Sequence, residues 1–285
     1  MRVSLARRLL RRISRGRLRS LQGVVSIGFL ACVLSYSAAA EQVQVRHPEG
    51  TLHGYLSLRS EEGTMLGAGD LIQTVRGAVV TAHMVFHFKD GSLDDETTVF
   101  SQRGKFQMIS DHHIQKGPFF EHPIDMTIDA RKGQVTVHTA DKDGKDSVST
   151  DHMKLDADVV SGLMIIPIVK NLTADAGADT QMVVATPKPR LVKLVFSADG
   201  EDPFSLAGVE RKALHYQIKF DLGGVAGFIA PMIGKQPPNI EVWVEGGEVP
   251  AFVKEEGPLA ADGPAVIIQQ TGPVGPGAEA AASKK

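Results

Sequence analysis

Apolar and polar residues alternate with a period of two in many short stretches of this chain. The clearest is residues 215–222, where every second residue from Tyr216 to Leu222 is apolar and the residues between them are polar. This alternation predicts a β-strand with one buried and one solvated face. One-sided burial favours an antiparallel sheet, because parallel strands are usually apolar on both faces. The same pattern predicts strands at 82–88, with Met84, Phe86 and Phe88 inward, and at 134–139, 191–196 and 240–245.

Turn residues separate these stretches at intervals of about ten residues, which is typical of all-β folds. Asp-Gly or Gly-Gly pairs predict hairpin turns, and Gly67-Ala68-Gly69 is interpreted as a further turn. The expected fold is all-β or β-dominated α+β: a curved, mostly antiparallel sheet, half-barrel or sandwich-like, with one or two short apolar helices. The predicted turns lie at 89–92, 141–145, 198–200 and 246–247.

Two apolar segments depart from the strand pattern. Residues 156–172 begin with Asp156, a possible N-cap, and predict a short helix that bends or ends at Pro167. Residues 223–234 are apolar and rich in glycine. Both segments are expected either to cover the concave face of the curved sheet or simply to cap its core.

The amino terminus has the pattern of a secretory signal peptide. Eight arginines precede the apolar run 24–34, which ends in small residues and then changes to a polar sequence after Ala40. We expect export to the periplasm or outer envelope of a bacterium, with cleavage after Ala40. An uncleaved anchor, lipidation at Cys32 and twin-arginine export are the alternatives, and the apolar run is short against the ~20 residues of a spanning helix.

These features predict four regions along the chain. Residues 1–40 form the signal peptide, 41–50 a linker, 51–270 a single β-rich domain and 271–285 a disordered tail without a core-forming pattern.

Removal of the leader would leave 23 Lys+Arg against 33 Asp+Glu, a net charge of −10. An acidic chain repels nucleic-acid phosphates and anionic bilayers, so no nucleic acid is expected as a partner. Membrane contact is expected only through the leader or during delivery of a ligand. The sole cysteine, Cys32, lies within the leader, so the mature domain would lack disulfides and thiolate metal sites.

The sequence has no motif of a known catalytic or metal site. His112 and His113 are adjacent and would point to opposite faces of a strand, while His83 and His87 would lie about 13 Å apart. The acidic stretch 90–96 lacks the ligand spacing of a calcium loop and is interpreted as a solvated hairpin. No nucleophile elbow and no phosphate-binding glycine loop occur. We therefore expect a protein without enzymatic activity, metal or cofactor.

Four segments carry a family resemblance: Phe86-His-Phe-Lys-Asp-Gly-Ser92, Phe100-Ser-Gln102, Gln115-Lys-Gly-Pro118 and Lys235-Gln-Pro-Pro238. Their layout resembles uncharacterised secreted bacterial β-rich proteins of unknown function. These in turn resemble the half-barrel lipoprotein carriers of the envelope, the Lol-type fold. The resemblance implies a curved antiparallel sheet wrapped around helical lids. It also implies that the concave face holds an acyl chain or another hydrophobic molecule, and that the protein has no catalytic residue.

The leading hypothesis is an exported envelope protein that binds a lipid or another hydrophobic small molecule without chemistry. An envelope hydrolase of polar polymers that uses paired carboxylates is the second hypothesis. A scaffold or adaptor that binds a protein through an exposed sheet edge is the third. For the first, the expected ligand-lining residues are Met84, Phe86, Phe88, Leu163, Ile166, Phe228, Ile229 and Met232.

Overall fold

The computed structural model describes residues 43–140, 146–173, 175, 177–206, 208–221, 238–261 and 263–272. Fifteen strands in these ranges form one sheet, in the order β8-β7-β6-β5-β4-β3-β2-β1-β15-β14-β13-β12-β11-β10-β9. Neighbouring strands are antiparallel except for the parallel pair of β9 and β10. The sheet is curved but not closed into a barrel, which confirms the expected fold class.

The strands have the following bounds: β1 Leu52–Ser60, β2 Met65–Arg76, β3 Val79–Phe88, β4 Leu93–Ser101, β5 Gln107–Lys116, β6 Ile124–Asp129, β7 Gln134–Ala140, β8 Asp146–His152, β9 Val159–Val160, β10 Ala178–Val184, β11 Arg190–Leu206, β12 Val209–Asp221, β13 Ile240–Glu245, β14 Ala251–Pro258 and β15 Ala265–Thr271.

The period-two stretches are strands, as predicted. In β12 the side chains of Tyr216 and Ile218 are fully buried. In β3 Phe86 and Phe88 are buried, and His87 between them is exposed. This alternation arises because successive side chains of a strand point to opposite faces of the sheet.

Two of the predicted turns are wrong. Residues 198–200 lie inside β11, where the pairing with β12 shifts register and Gly200 adopts φ +91°. A β-bulge of this kind, like a hairpin turn, needs a residue with positive φ, which glycine adopts readily. Gly67 and Gly69 lie inside β2: a Cβ on Gly69 would come within 2.5 Å of the Phe86 ring and of the Val85 carbonyl oxygen. Close approach to β3, not chain reversal, explains these glycines.

The helical segment is shorter than predicted and begins later. A 3-10 turn at Gly162–Met164 leads into one α-helix, α1, at Ile165–Val169. Pro167 lies in the first turn of α1, where a missing backbone N–H costs little, so it does not end the helix. No helix among the described residues is long and apolar enough to cross a membrane. The apolar segment 223–234 lies outside the described residues.

The buried residues form two hydrophobic clusters. The larger one joins strands of both halves of the sheet to α1, through residues such as Val137, Ile168 and Ile218. The smaller one contains Phe86 and Phe88 of β3.

Residues 43–50, which the sequence assigns to a linker, hydrogen-bond to other parts of the domain. The backbone N–H of Val45 donates to the Gly104 carbonyl oxygen at 2.9 Å, and Glu49 is buried. At the other end β15 extends to Thr271, while residues 1–42 and the residues after Gly272 lie outside the described ranges.

Candidate functional site: a cavity inside the curved sheet

A cavity of about 780 Å³ lies between the sheet and the helical segment. Strands of both halves of the sheet contribute to its lining, and the 3-10 turn and α1 contribute from the inside. Most of the lining side chains are apolar. They include Leu56, Leu71, Met84, Met126, Ile128, Leu163, Ile166, Met182, Val192, Phe252 and Ile268.

The structure brings together some of the predicted lining residues. Met84, Leu163 and Ile166 line the cavity, although they come from β3, the 3-10 turn and α1. Phe86 and Phe88 face inward but pack in the smaller hydrophobic cluster, where the Phe88 ring lies 4.6 Å from that of Phe119. The three other predicted lining residues are outside the described ranges: Phe228, Ile229 and Met232.

A polar patch on β4 and β5 interrupts the apolar lining. Because β4 and β5 are paired in register, their inward-facing residues form three side-by-side pairs. His113 Nε2 lies 2.7 Å from Asp94 Oδ1, and the Thr98 hydroxyl donates to Asp111 at 2.6 Å. The pairs are Asp94 with Gln115, Glu96 with His113, and Thr98 with Asp111.

Burial and the neighbouring charges shift the pKa values of the ionisable groups in this patch. Burial raises the pKa of Glu96 and, still more, that of Asp111, and the negative charge of Glu96 raises the pKa of Asp111 further. Burial alone would lower the pKa of His113, but the charge and hydrogen bond of Asp94, with the two other acids, raise it to about 10. At neutral pH His113 is therefore a cation, while burial disfavours ionisation of Glu96 and Asp111.

The helical segment covers the patch. The Ser161 hydroxyl lies 2.8 Å from that of Thr98, and the Leu163 backbone N–H donates to Glu96 Oε1 at 3.3 Å. A Cβ at Gly162 would lie only 3.0 Å from Glu96 Oε2, so glycine allows this close approach. The patch thus attaches the helical segment to the sheet.

A second attachment joins the end of α1 to residues 46–49. Asn171 is buried, and its Oδ1 accepts the backbone N–H groups of Arg46 at 2.6 Å and His47 at 2.7 Å. Next to it, the Lys170 ammonium lies 2.7 Å from the buried Glu49 carboxylate. The helical segment is therefore fixed at both ends.

Glu255 of β14 is the one acid of the lining with no hydrogen bond or ion pair to another described residue. Its cross-strand neighbours are Val242 on β13 and Ile268 on β15, both buried and apolar. The side chain lines the cavity and is partly exposed to it. Burial, with no charged group contributing, raises the pKa of Glu255 to about 7.

The sequence analysis missed the buried acids. It placed Asp94 and Glu96 in a solvated hairpin, which is wrong: both are buried on the inner face of β4. Counting back in twos from the buried Phe100 would have found them. Glu255 gave no such signal, because a register shift between β13 and β14 changes the alternation after Phe252.

The histidines point where the strand geometry predicts. His113 faces the cavity, and His112 faces outward, 2.9 Å from Asp125. Within the described ranges, no three histidine or acidic side chains are arranged to hold a metal ion.

Comparisons with known proteins give only distant structural similarity. The sequence matches no protein-family model and no curated protein. The structure is similar to a β-barrel-like protein of the domain of unknown function DUF1849 from Brucella abortus, with 9% identity over 82% of this chain and 98% of that one, and a TM-score of 0.41. It is also similar to the hypothetical lipoprotein YmcC from Escherichia coli K12, with 10% identity over 78% and 85% of the two chains and a TM-score of 0.32. Both structures are bacterial, and neither is described as a Lol-type carrier.

Proposed function

We propose that this protein is an exported envelope protein that holds a hydrophobic ligand, such as the acyl chain of a lipid, without chemical conversion. The observation that carries the proposal is the apolar cavity of about 780 Å³ between the sheet and the helical segment. Ligand pockets in proteins commonly have volumes of about 300–1,000 Å³. Burial of an alkyl chain there contributes about 25 cal/mol per Å² of apolar area, so few polar anchors are needed.

Export and a carrier role of the Lol type belong to this proposal. They are supported by the arginine-rich leader and by the resemblance of the sequence to secreted β-rich proteins. The curved sheet with a helical segment on its inner side has the arrangement that this resemblance implies.

The hydrolase hypothesis has one observation in its favour, the buried acids Glu96 and Asp111, whose pKa values burial raises. Both acids, however, belong to neighbouring strands of one wall, so they do not face each other across a cleft. The helical segment already covers the patch, because its Leu163 backbone N–H and Ser161 hydroxyl hydrogen-bond to Glu96 and Thr98. We assign the pair to the attachment of the helical segment.

The adaptor hypothesis depends on the edge strand β8, all of whose side chains are exposed. Nothing in the described part of the chain indicates which partner would pair with it. Crosslinking in cells is the direct test of this hypothesis.

The proposal is tested by native mass spectrometry of protein purified from its host, together with uptake of a fluorescent fatty alcohol. We expect a bound lipid-sized mass that organic extraction removes, and saturable uptake by the extracted protein. Ile166→Gln should weaken uptake several-fold, because it places an amide in the apolar lining. Val148→Gln is the matched control, since Val148 is 59% exposed on β8. Bare protein with no uptake would refute the proposal.

A further inference from the structure

We propose that the ligand of this cavity carries a positively charged amine, and that this end of the ligand binds the carboxylate of Glu255. The inference rests on the proposed function, because it specifies the chemistry of the molecule that the cavity holds. A long-chain amine and a lipid with a primary-amine headgroup share this chemistry.

The first argument is the isolation of Glu255. A carboxyl group between Val242 and Ile268 loses hydration, and no described residue donates a hydrogen bond to it. The side chain is half-buried and lines the cavity, so a ligand in the cavity can reach its unpartnered carboxylate. A ligand that donates N–H groups would supply that partner.

The second argument is the charge of the other lining groups. Two cations of the lining are paired with acids: Lys170 with Glu49 at 2.7 Å, and His113 with Asp94 at 2.7 Å. Two further cations line the cavity where β10 leads into β11: Lys188 lies in the connection, and Arg190 is the first residue of β11. A headgroup held against this part of β14 would meet the Glu255 carboxylate, whose cross-strand neighbours Val242 and Ile268 are apolar. A cationic headgroup is the complementary choice.

The third argument is that the Glu255 side chain has room on its cavity side. The polar patch is covered by the helical segment, whereas Glu255 is partly exposed to the cavity. Next to it, Phe252 and Ile268 provide apolar lining for the alkyl part of the ligand. An ammonium at Glu255 and a chain along the apolar wall would satisfy both features.

The test uses chain-matched probes that differ only in the polar end. Dodecylammonium, dodecanol and dodecanoate, each below its micellar concentration, compete with the uncharged dye N-phenyl-1-naphthylamine for the full-length mature protein. The pH is about 8, above the pKa of Glu255. We expect dodecylammonium to displace the dye at concentrations at least about tenfold lower than dodecanoate, because charge-assisted hydrogen bonds to a desolvated carboxylate are strong.

Two variants assign the preference to this side chain. In Glu255→Gln the preference should fall to about threefold or less, because the amide lacks the charge. Glu256→Gln removes the same charge one residue along, from the opposite face of β14, where Glu256 pairs with Lys254 at 2.6 Å. This control should keep the wild-type preference, and a primary-amine lipid in the same competition distinguishes the two sources of the amine.

The outcomes separate this inference from the proposed function. If the wild-type protein binds the dye but the three probes compete equally, the inference is refuted and the lipid-binding proposal stands. A preference that survives in Glu255→Gln also refutes the inference. If neither dye nor probes bind, both proposals are wrong. The wild-type series alone decides the matter if Glu255→Gln does not fold.

Discussion

The half-buried acid Glu255 should make the stability of this protein depend on pH in a way that one substitution removes. Its pKa is about 7 in the folded protein against an ordinary value of 4.5. Below the ordinary value the group is protonated in both the folded and the unfolded chain, so it has no effect on the free energy of unfolding. As the pH rises, the unfolded chain loses the proton first. The free energy of unfolding therefore falls until the folded state also ionises, at about pH 7.

The size of this effect follows from the pKa difference. Each pKa unit corresponds to 1.36 kcal/mol, so the full loss between about pH 4 and pH 8 is about 3 kcal/mol. Partial exposure of the side chain screens the carboxylate and reduces this value, so we expect a change of about 1–3 kcal/mol. Glu255→Gln has no such titration, and should therefore become more stable relative to the wild type as the pH rises.

Urea unfolding followed by circular dichroism measures this effect at a series of pH values. Glu96, Asp111 and His113 also titrate, but they are present in both proteins and cancel in the difference between variant and wild type. Glu256→Gln, on the outer face, should show no such trend. A difference between Glu255→Gln and wild type that stays constant within about 0.5 kcal/mol, the usual error of additive comparisons, would contradict the reasoning.

Three further substitutions test the packing around the cavity, each by urea unfolding. Gly69→Ala should destabilise the domain by about 1–3 kcal/mol, because its Cβ would collide with the Phe86 ring and the β3 backbone. Gly54→Ala should have little effect, because its Cβ would lie in ordinary contact with Leu52 Cδ1 at 3.9 Å. Equal effects of the two would be inconsistent with the close approach of β2 and β3. Asn171→Ala should cost about 2–3 kcal/mol and make residues 43–50 more sensitive to proteolysis, since Arg46 and His47 lose their acceptor. Unchanged proteolysis would show that the attachment does not depend on this side chain. Thr98→Val should cost about 1–3 kcal/mol, because Asp111 and Ser161 lose a buried partner; wild-type stability would argue against the assignment of the patch to holding the helical segment.

Strand positions could be predicted from the sequence because the period-two pattern depends only on local geometry. Residues 240–245 were predicted as a strand, and β13 has these bounds. The bulge at Gly200 could not be distinguished from a turn, because both require a positive φ and the choice depends on whether the partner strand continues. The strand β11 continues here because β12 pairs with it on both sides of the bulge.

The site was less predictable than the fold. Met84, Leu163 and Ile166 could be named as lining because they are apolar and belong to elements expected on the inner side. Acidic side chains, in contrast, are usually solvated, so a rule based on residue type places Glu255 on the surface. Its inward direction results from a one-residue register shift that the pairing of β13 and β14 determines.

The pairing of the first and last strands has a consequence for how the chain reaches its native state. Tyr55 of β1 lies opposite Thr271 of β15, so the middle of the sheet forms only between the two ends of the domain. Contacts of such high sequence separation slow folding, since the intervening chain must be ordered before they form. Until β15 docks, β1 and β14 both present unpaired backbone edges that invite association with other chains. The nascent polypeptide therefore exposes these edges until β15 has been synthesised, and removing β15 would leave two unpaired strand edges in the centre of the sheet.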